Sequence, residues 1–249
     1  MTQSPLDDHS SVQIDDVISL PDDPQAKAVW DALVSDTSSR VVLFDRDGQI
    51  LYANQRANLQ HGSALGRESI VGLRLPEVAP EDYSAERMGF IHQVADTGRA
   101  IQVDGVADGV SIRTMYRPFP YGPDREVGVL AICRDVADMA AADWSEASDV
   151  VHVEARVRDM GALSCLTPTE LEVLALMGEG GTAAQMASRL RRSVKTVEWH
   201  RTMIARKLGV RDRVELARLA IRAGLRPDSP PLDEPKGRRR AKKTTTKDE

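Results

Sequence analysis

The segment "TAAQMASRLRRSVKTVEWHRTMIARKLGV", residues 182–210, contains two short helical patterns separated by only a few residues. Each pattern begins at a hydroxyl residue, Thr182 or Ser193, whose side chain can cap the free backbone N–H groups of a first helical turn. Gly209 follows the second pattern, at a position where helices commonly end. Two helices joined by so short a turn have the spacing of a helix-turn-helix.

Two more helix starts flank this pair. "TPTE" at 167–170 is a capping box, with Thr167 as the cap, Pro168 in the first turn and Glu170 reaching back. Asp212, followed by Glu215, begins another helix in the same way. Because glycines stand at 180, 181, 209 and 224, where these helices should end, residues 164–226 predict an all-α domain of four short helices.

The third of these helices has two contrasting faces. At about 100° per residue, Val197, Ile204 and Leu208 fall within a narrow arc and are predicted to face the core. The opposite arc is cationic and hydrogen-bonding and carries one indole; its members are Lys195, Trp199, Thr202 and Arg206, with Glu198 and His200 on the flanks. The major groove of DNA admits a helix of this kind and presents base edges to it.

Arginines surround the predicted turn, where they can hold the DNA backbone. Neutralised phosphates supply most of the affinity for DNA, and contacts with base edges supply the choice of sequence. The alternative is a solvated helix surface, but it leaves an exposed indole without a partner at a cost of a few kcal/mol. The arginines are Arg189, Arg191, Arg192 and Arg201.

Charged residues divide the chain into an acidic front and a basic back. Residues 1–161 carry 14 Lys and Arg against 27 Asp and Glu, a net charge of −13. Residues 162–226 carry 12 against 6, a net charge of +6, and the remainder adds +2. We therefore expect two domains with different partners, of which the back one would bind a polyanion.

The front half predicts a sheet with helices on one side. Strands are expected at 41–44 and 49–53, joined by the turn "DRDG", and again at 100–106, 111–119 and 126–134. Short helices fill 55–97. The predicted fold class is therefore α+β: an antiparallel sheet with helices, then a signalling helix, then the four-helix domain.

Composition gives the remaining boundaries. We expect a flexible leader at 1–23, a sensor domain at 24–135, a linker helix at 136–163 and a disordered basic tail at 227–249. The linker helix is predicted from an apolar seam at 3, 4, 3 spacing, which suits pairing across a dimer or packing on the chain's own sheet. The seam comprises Val150, Val153, Val157 and Met160.

Residues 164–225 resemble the LuxR (GerE) type of helix-turn-helix domain, through "LTPTELEVL", "QMA" and "SVKTVEWHRTMIARKLG". The resemblance implies that Lys195 and Thr196 hold phosphates and that positions 198, 199 and 202 approach bases. It also implies that the fourth helix, 213–223, is a dimer surface. Many members have a smaller residue where this chain has Trp199.

The front half resembles a PAS domain over about 100 residues. The resemblance rests on "VVLFDRDGQILYANQRA", "IVGLRLPEV", "ADTGRA" and the exit motif "RDV" at 134–136. It implies sensing of a small-molecule or protein signal, or dimerisation. No cofactor is predicted: His92 as a haem ligand and Cys133 as a flavin-reactive thiol are both weaker interpretations than a packed or surface histidine and a small buried hydrophobe.

Three other functions fit the sequence less well than a transcriptional regulator does. The front half lacks the acidic pair, central Asp and distal Lys of a phosphorylated receiver domain. A sigma-factor-like promoter-recognition protein shares the helix-turn-helix but needs an upstream core-binding region. No paired carboxylates, nucleophile–His arrangement or metal-ligand spacing indicates an enzyme. The expected partners are double-stranded DNA and a second copy of the chain, with no membrane, in the cytoplasm on the nucleoid.

Overall fold

The computed structural model describes residues 37–121, 125–136 and 150–227, together with positions 28, 30 and 32–34. Its front domain has the predicted order of two strands, helices and three strands. All five predicted strands are confirmed, with bounds shifted by one or two residues. The elements are β1 (Arg40–Phe44), β2 (Ile50–Ala53), α1 (Gln55–Leu65), α2 (Leu75–Val78), α3 (Glu81–Thr97), β3 (Ile101–Ala107), β4 (Val110–Tyr121) and β5 (Glu126–Asp135).

The "DRDG" segment makes the predicted turn between β1 and β2. The Asp45 N–H donates to the Gln49 carbonyl at 3.0 Å, and the Gln49 N–H donates to Asp45 Oδ1 at 2.7 Å. Gly48 has a φ of +78°, a conformation that glycine adopts without the strain a Cβ would bring. The turn therefore depends on the Asp and the Gly that the sequence singled out.

The sheet has the strand order β2-β1-β5-β4-β3-β6. One face packs against the helices, where Phe44, Ile91, Val94 and Val129 are buried in a single cluster. Ile91, Val94 and Val129 are wholly inaccessible to solvent. Burial of this cluster on both sides of the helix–sheet interface holds the front domain together.

The predicted linker helix at 136–163 is wrong over residues 150–160, where the structure has no helix. Val151–Glu154 forms a sixth strand, β6, which pairs in parallel with β3 in the register Ile101↔Val151 to Asp104↔Glu154. The alternation of valine with polar residues in "VHVE" has the period of a strand, and the free edge of β3 supplies its hydrogen-bonding partners. The sheet is therefore mixed rather than purely antiparallel. Residues 137–149 of the prediction lie outside the described part.

The seam residues consequently serve two different cores. Val153 packs on the front cluster, whereas Met160 is buried in the cluster of the back domain. Their 3, 4, 3 spacing matches that of a helix, but these residues lie in a segment that leaves one domain and enters the next. No helix in the three described ranges is long and apolar enough to cross a membrane.

The four predicted helices of the back domain are confirmed. They follow a short 3-10 helix at Gly161–Cys165. Three of the predicted caps have the expected geometry: Thr182, Ser193 and Thr167 each accept from the backbone N–H three residues on. The helices are α4 (Pro168–Gly178), α5 (Ala183–Arg189), α6 (Val194–Leu208) and α7 (Arg213–Arg222).

The fourth cap differs from its prediction. Asp212 accepts from the Val214 N–H at 2.8 Å, and no bond from Glu215 completes a box. Glu170, in contrast, does more than close its box. It accepts from the Thr167 N–H at 2.8 Å and also from Lys207 Nζ at 2.5 Å, so it ties the start of α4 to the end of α6.

Glu170 generates a prediction on acid stability. Burial acts to raise the pKa of its carboxyl group, but the hydrogen bonds from Lys207 and Thr167 outweigh burial and lower the pKa below its usual value. A lowered pKa in the folded state contributes stability above the unfolded pKa, and this contribution is lost as pH falls. Glu170→Gln should lower the free energy of unfolding by about 1–2 kcal/mol at pH 7.

The deficit should shrink as urea unfolding is repeated from pH 6 down to pH 3.5, because wild type loses the charged form and the variant has none to lose. Glu172→Gln, on the same helix with an exposed side chain, is the control and should show little deficit at either pH. A deficit for Glu170→Gln that is constant across this range would contradict the assignment.

Candidate nucleic-acid interface

α6 is seated on its own domain by the face that the sequence assigned to the core. Val197 and Ile204 have no exposed surface and pack with Leu174 and Met186. Leu208 is half-buried against the same cluster. Complete burial of two branched side chains fixes the rotation of α6 about its axis, because turning the helix would expose them at roughly 1.5–3 kcal/mol each.

The turn before α6 is short, and hydrogen bonds define both the end of α5 and the start of α6. Arg191 has a φ of +51°, and the Arg192 N–H donates to the Ala187 carbonyl at 2.9 Å, which ends α5. Ser193 then caps α6 by accepting from the Thr196 N–H at 3.1 Å. The two helices are thereby held at a fixed angle, as a helix-turn-helix requires.

The face opposite the core is open. The Trp199 side chain is 57 % exposed, an unusual position for an indole on a folded surface. The remaining predicted contact residues divide into two groups by burial. Exposed are Arg192, Lys195, Glu198, Thr202 and Arg206; half-buried are Thr196 and Arg201. The structure therefore brings all eight predicted residues together on α6 and the turn that precedes it.

Local hydrogen bonds orient several of these side chains. The hydroxyls of Thr196 and Ser193 lie 2.8 Å apart, and Thr202 Oγ1 donates to the Glu198 carbonyl at 3.0 Å. With its proton engaged inside the helix, Thr202 presents oxygen lone pairs and a methyl group outward. Its hydroxyl is therefore positioned to accept a hydrogen bond rather than to donate one.

Trp199 and its neighbour form a second local arrangement. The rings of Trp199 and His200 meet edge to face, with centroids 4.9 Å apart and an interplanar angle of 72°. Within the described residues, His200 Nδ1 and Arg201 Nε are buried without a hydrogen-bond partner. Arg201 Nε can only donate, and a buried donor without a partner is costly, so a phosphate oxygen brought close to it would be stabilising.

Two arginines depart from the predicted pattern. Arg189, expected at the DNA backbone, instead pairs with Glu179 at 2.7 Å, across the α4–α5 connection. Arg213, which no sequence signal marked, donates to the carbonyls of Gly180 and Gly181 and anchors the start of α7 on the same connection. The partners lie 10 and more than 30 residues apart in sequence, beyond the reach of local patterns.

The front domain places the two candidate cofactor residues differently. His92 is exposed on α3, whereas Cys133 on β5 is half-buried and lies 3.0 Å from Arg40 Nη2. The environment of Cys133 is therefore not the apolar one expected of a small buried hydrophobe. Among the residues that the structure describes, no cluster of His, Cys, Asp and Glu has the size of a metal site.

A cleft of about 700 Å³ lies between the outer face of the sheet and the back domain. Its lining includes Gln102, His152 and Glu154 from β3 and β6, with Leu171, Glu172 and Arg226 from the back domain. This cleft could not be predicted from the sequence, because it depends on β6, and the spacing of residues 150–160 predicts a helix there.

Two family models match the chain. Residues 164–220 match "Bacterial regulatory proteins, luxR family", and residues 35–141 match the PAS fold. Both matches coincide with the two domains described above, and the first contains the whole of the open face on α6.

Curated relatives match the chain over a short segment. The chain is 43 % identical over 60 residues to the uncharacterized response regulatory protein YgeK of Escherichia coli (strain K12). It is 42 % identical over 60 residues to the oxygen regulatory protein NreC of Staphylococcus aureus (strain JH9). Each alignment covers 24 % of this chain, and it spans 41 % of YgeK and 28 % of NreC.

Solved structures are also similar over most of the chain. The structure titled as a complex of VqmA from Vibrio cholera with ligand and DNA is 20 % identical, with a TM-score of 0.42, over 83 % of this chain and 93 % of that one. The structure titled as a VqmA dimer of Vibrio cholerae in the absence of target DNA is 20 % identical, with a TM-score of 0.37, over 79 % of this chain and 88 % of that one.

Each family match covers one of the two domains that the fold shows. The chain joins a PAS-fold domain to a domain of the luxR family of bacterial regulatory proteins.

Proposed function

We propose that this protein is a sequence-specific DNA-binding transcriptional regulator whose helix α6 lies in the major groove. The observation that carries the proposal is the contrast between the two faces of α6. Val197 and Ile204 are sealed into the domain, while Trp199 stands 57 % exposed among cations and hydroxyls on the other side. A folded protein gains nothing from such an indole unless another molecule covers it.

The residues of this face divide by chemistry. Lys195, Arg192, Arg201 and Arg206 supply charge for phosphates, with Thr196 as a further backbone contact. Glu198 can accept from the exocyclic amine of cytosine, and Thr202 can accept from a base edge or contact a methyl group. Trp199 has a large apolar surface and one N–H donor, which suits the thymine methyl group.

The sigma-factor-like alternative is not favoured. Residues 164–220 match the luxR family, and the domain in front of them is a PAS fold rather than a helical core-binding region. A regulator that binds its site without polymerase accounts for both domains. A sigma factor would leave the PAS fold without a role.

The PAS-fold domain supplies the sensory half of the proposal. Under this proposal it receives a small-molecule or protein signal without a bound haem or flavin, in a cytoplasmic, nucleoid-associated protein with no membrane partner. A homodimer would place two copies of α6 at half-sites about one helical turn apart, so a change in their spacing would alter binding.

Lys195→Ala and Thr202→Ala should affect DNA binding in different ways. Loss of a phosphate contact weakens binding to all sequences and lowers the slope of log K against log salt by about 1. Loss of Thr202 should leave that slope unchanged and reduce the preference for a selected site over random duplex by about fivefold. Mobility shifts from 50 to 200 mM salt measure both quantities.

Arg67→Ala is the matched control for Lys195→Ala, because it removes one positive charge from an exposed position in the front domain. It should leave the salt slope at the wild-type value. If Lys195→Ala and Thr202→Ala both bind as wild type does, α6 does not lie in the groove.

Trp199 should make binding depend on a thymine methyl group. Binding sites would first be selected from random duplexes, and the enriched site remade with deoxyuridine in place of each thymidine in turn. Removing one buried methyl group costs about 0.8 kcal/mol, so one substitution should weaken wild type about fourfold, and one in each of two half-sites about fifteenfold.

Trp199→Ala should bind the thymidine and deoxyuridine duplexes equally, whereas Glu198→Ala, on the flank of the same face, should keep the methyl dependence. Equal binding of every deoxyuridine duplex by wild type would contradict the role given to the indole while leaving DNA binding intact.

A further inference from the structure

The segment that connects the two domains is held by one side chain of the PAS-fold domain. This connecting segment, residues 155–160, runs from β6 to the 3-10 helix. Glu86 on α3 accepts from the Arg156 N–H at 2.8 Å through Oε1 and from the Val157 N–H at 3.1 Å through Oε2. One carboxylate therefore fixes two successive backbone groups of the segment.

The next residue, Arg87, is a buried cation. It is 2 % exposed, and its guanidinium lies 4.4 Å from the ring centroid of Tyr83 and 5.6 Å from that of Phe90. Its Nη1 donates to Glu86 Oε2 at 3.2 Å. A buried charge is tolerated only beside a counter-charge, so Arg87 and Glu86 must be placed together.

The surrounding backbone leaves little room for either group to shift. A Cβ on Gly105 of β3 would lie 3.0 Å from Arg87 Nη2 and 2.9 Å from the Cβ of Ala155. The strand thus touches both the buried cation and the start of the connecting segment. Phe90 in turn contacts Tyr116 on β4, with ring centroids 6.1 Å apart.

The far end of the connecting segment positions the luxR-family domain. The Asp159 N–H donates to the Val106 carbonyl at 3.1 Å, and the Asp159 carbonyl accepts from the Gly109 N–H at 2.9 Å. Met160, directly after, is buried in the core of the luxR-family domain. Only Arg158 and Asp159 separate Val157, whose N–H bonds to Glu86, from Met160 in that core.

We propose that the Glu86–Arg87 pair is the element that couples the interior of the PAS-fold domain to the position of the luxR-family domain. The rings of Tyr83, Phe90 and Tyr116 determine where Arg87 lies, Arg87 holds Glu86, and Glu86 holds the connecting segment. A signal that displaces Arg87 releases Arg156 and Val157 from Glu86 and allows α6 to reorient, which changes DNA binding. Only this last consequence, control of DNA binding, rests on the proposed function.

Hydrogen exchange in the full-length chain tests the proposal. In Glu86→Ala, the amides of Arg156 and Val157 should exchange at least about tenfold faster, because their acceptor is gone. Arg87→Met should also accelerate them, since an uncompensated carboxylate turns toward solvent. Glu68→Ala removes an exposed carboxylate elsewhere in the domain and should match wild type.

Glu86→Gln is a more conservative variant, which keeps the proposal testable if Glu86→Ala does not fold. It keeps the length of the side chain and one oxygen acceptor, so exchange should lie between wild type and Glu86→Ala. Unchanged exchange in Arg87→Met would overturn the proposal, because the segment would then be insensitive to the buried cation. So would unchanged exchange in Glu86→Ala.

Spin labels measure the consequence for the domains. Labels at Arg99→Cys and Ser188→Cys, both exposed, would be placed in a chain with Cys133 and Cys165 replaced by serine. Wild type should give one narrow distance distribution, and Glu86→Ala and Arg87→Met broad ones. A narrow distribution in all three would overturn the coupling. Neither experiment contains DNA, so failure to bind DNA is a separate result.

Discussion

The burial of Val197 and Ile204 is the constraint on which the rest of the structure depends. These two side chains fix the rotation of α6, and the rotation decides which residues meet solvent. The capping of Ser193 fixes where the helix begins, and the bond of Lys207 to Glu170 fixes its end against α4. Position, rotation and extent of the open face therefore follow from interactions on its other side.

The connection between the two domains is a second rigid part of the structure. A helical linker would have left each domain to its own motions, whereas β6 extends the PAS-fold sheet and Asp159 bonds to the β3–β4 hairpin. Gly161 shows how close the approach is, since a Cβ there would lie 2.8 Å from the backbone carbon of Asp108. The two domains are therefore joined by backbone contacts in addition to the chain itself.

Features with a local physical cause could be predicted from the sequence. Hydroxyl caps, the helical period of Val197, Ile204 and Leu208, and the Asp–Gly turn at 45–48 each depend on residues a few positions apart. These local features were sufficient to predict both domains, the five antiparallel strands and the open face of α6.

What could not be predicted depends on contacts between distant residues. β6 needs the free edge of β3, about 50 positions earlier, and Glu86 bonds to a backbone 70 positions later. In the sequence the Val150–Met160 spacing fits a helix, and Glu86–Arg87 looks like an ordinary charged pair on a helix surface. Arg189 was assigned to DNA for the same reason, because its partner Glu179 becomes a neighbour only in the fold.

The central claim, that the open face of α6 lies against DNA, is tested most directly by the indole N–H resonance of Trp199. It can be assigned in the ¹⁵N–¹H spectrum as the tryptophan signal missing from Trp199→Phe, and followed as duplex is added. The account predicts that this resonance shifts and saturates with binding while that of Trp30, in the front domain, stays in place. A Trp199 resonance unmoved by saturating duplex would contradict it.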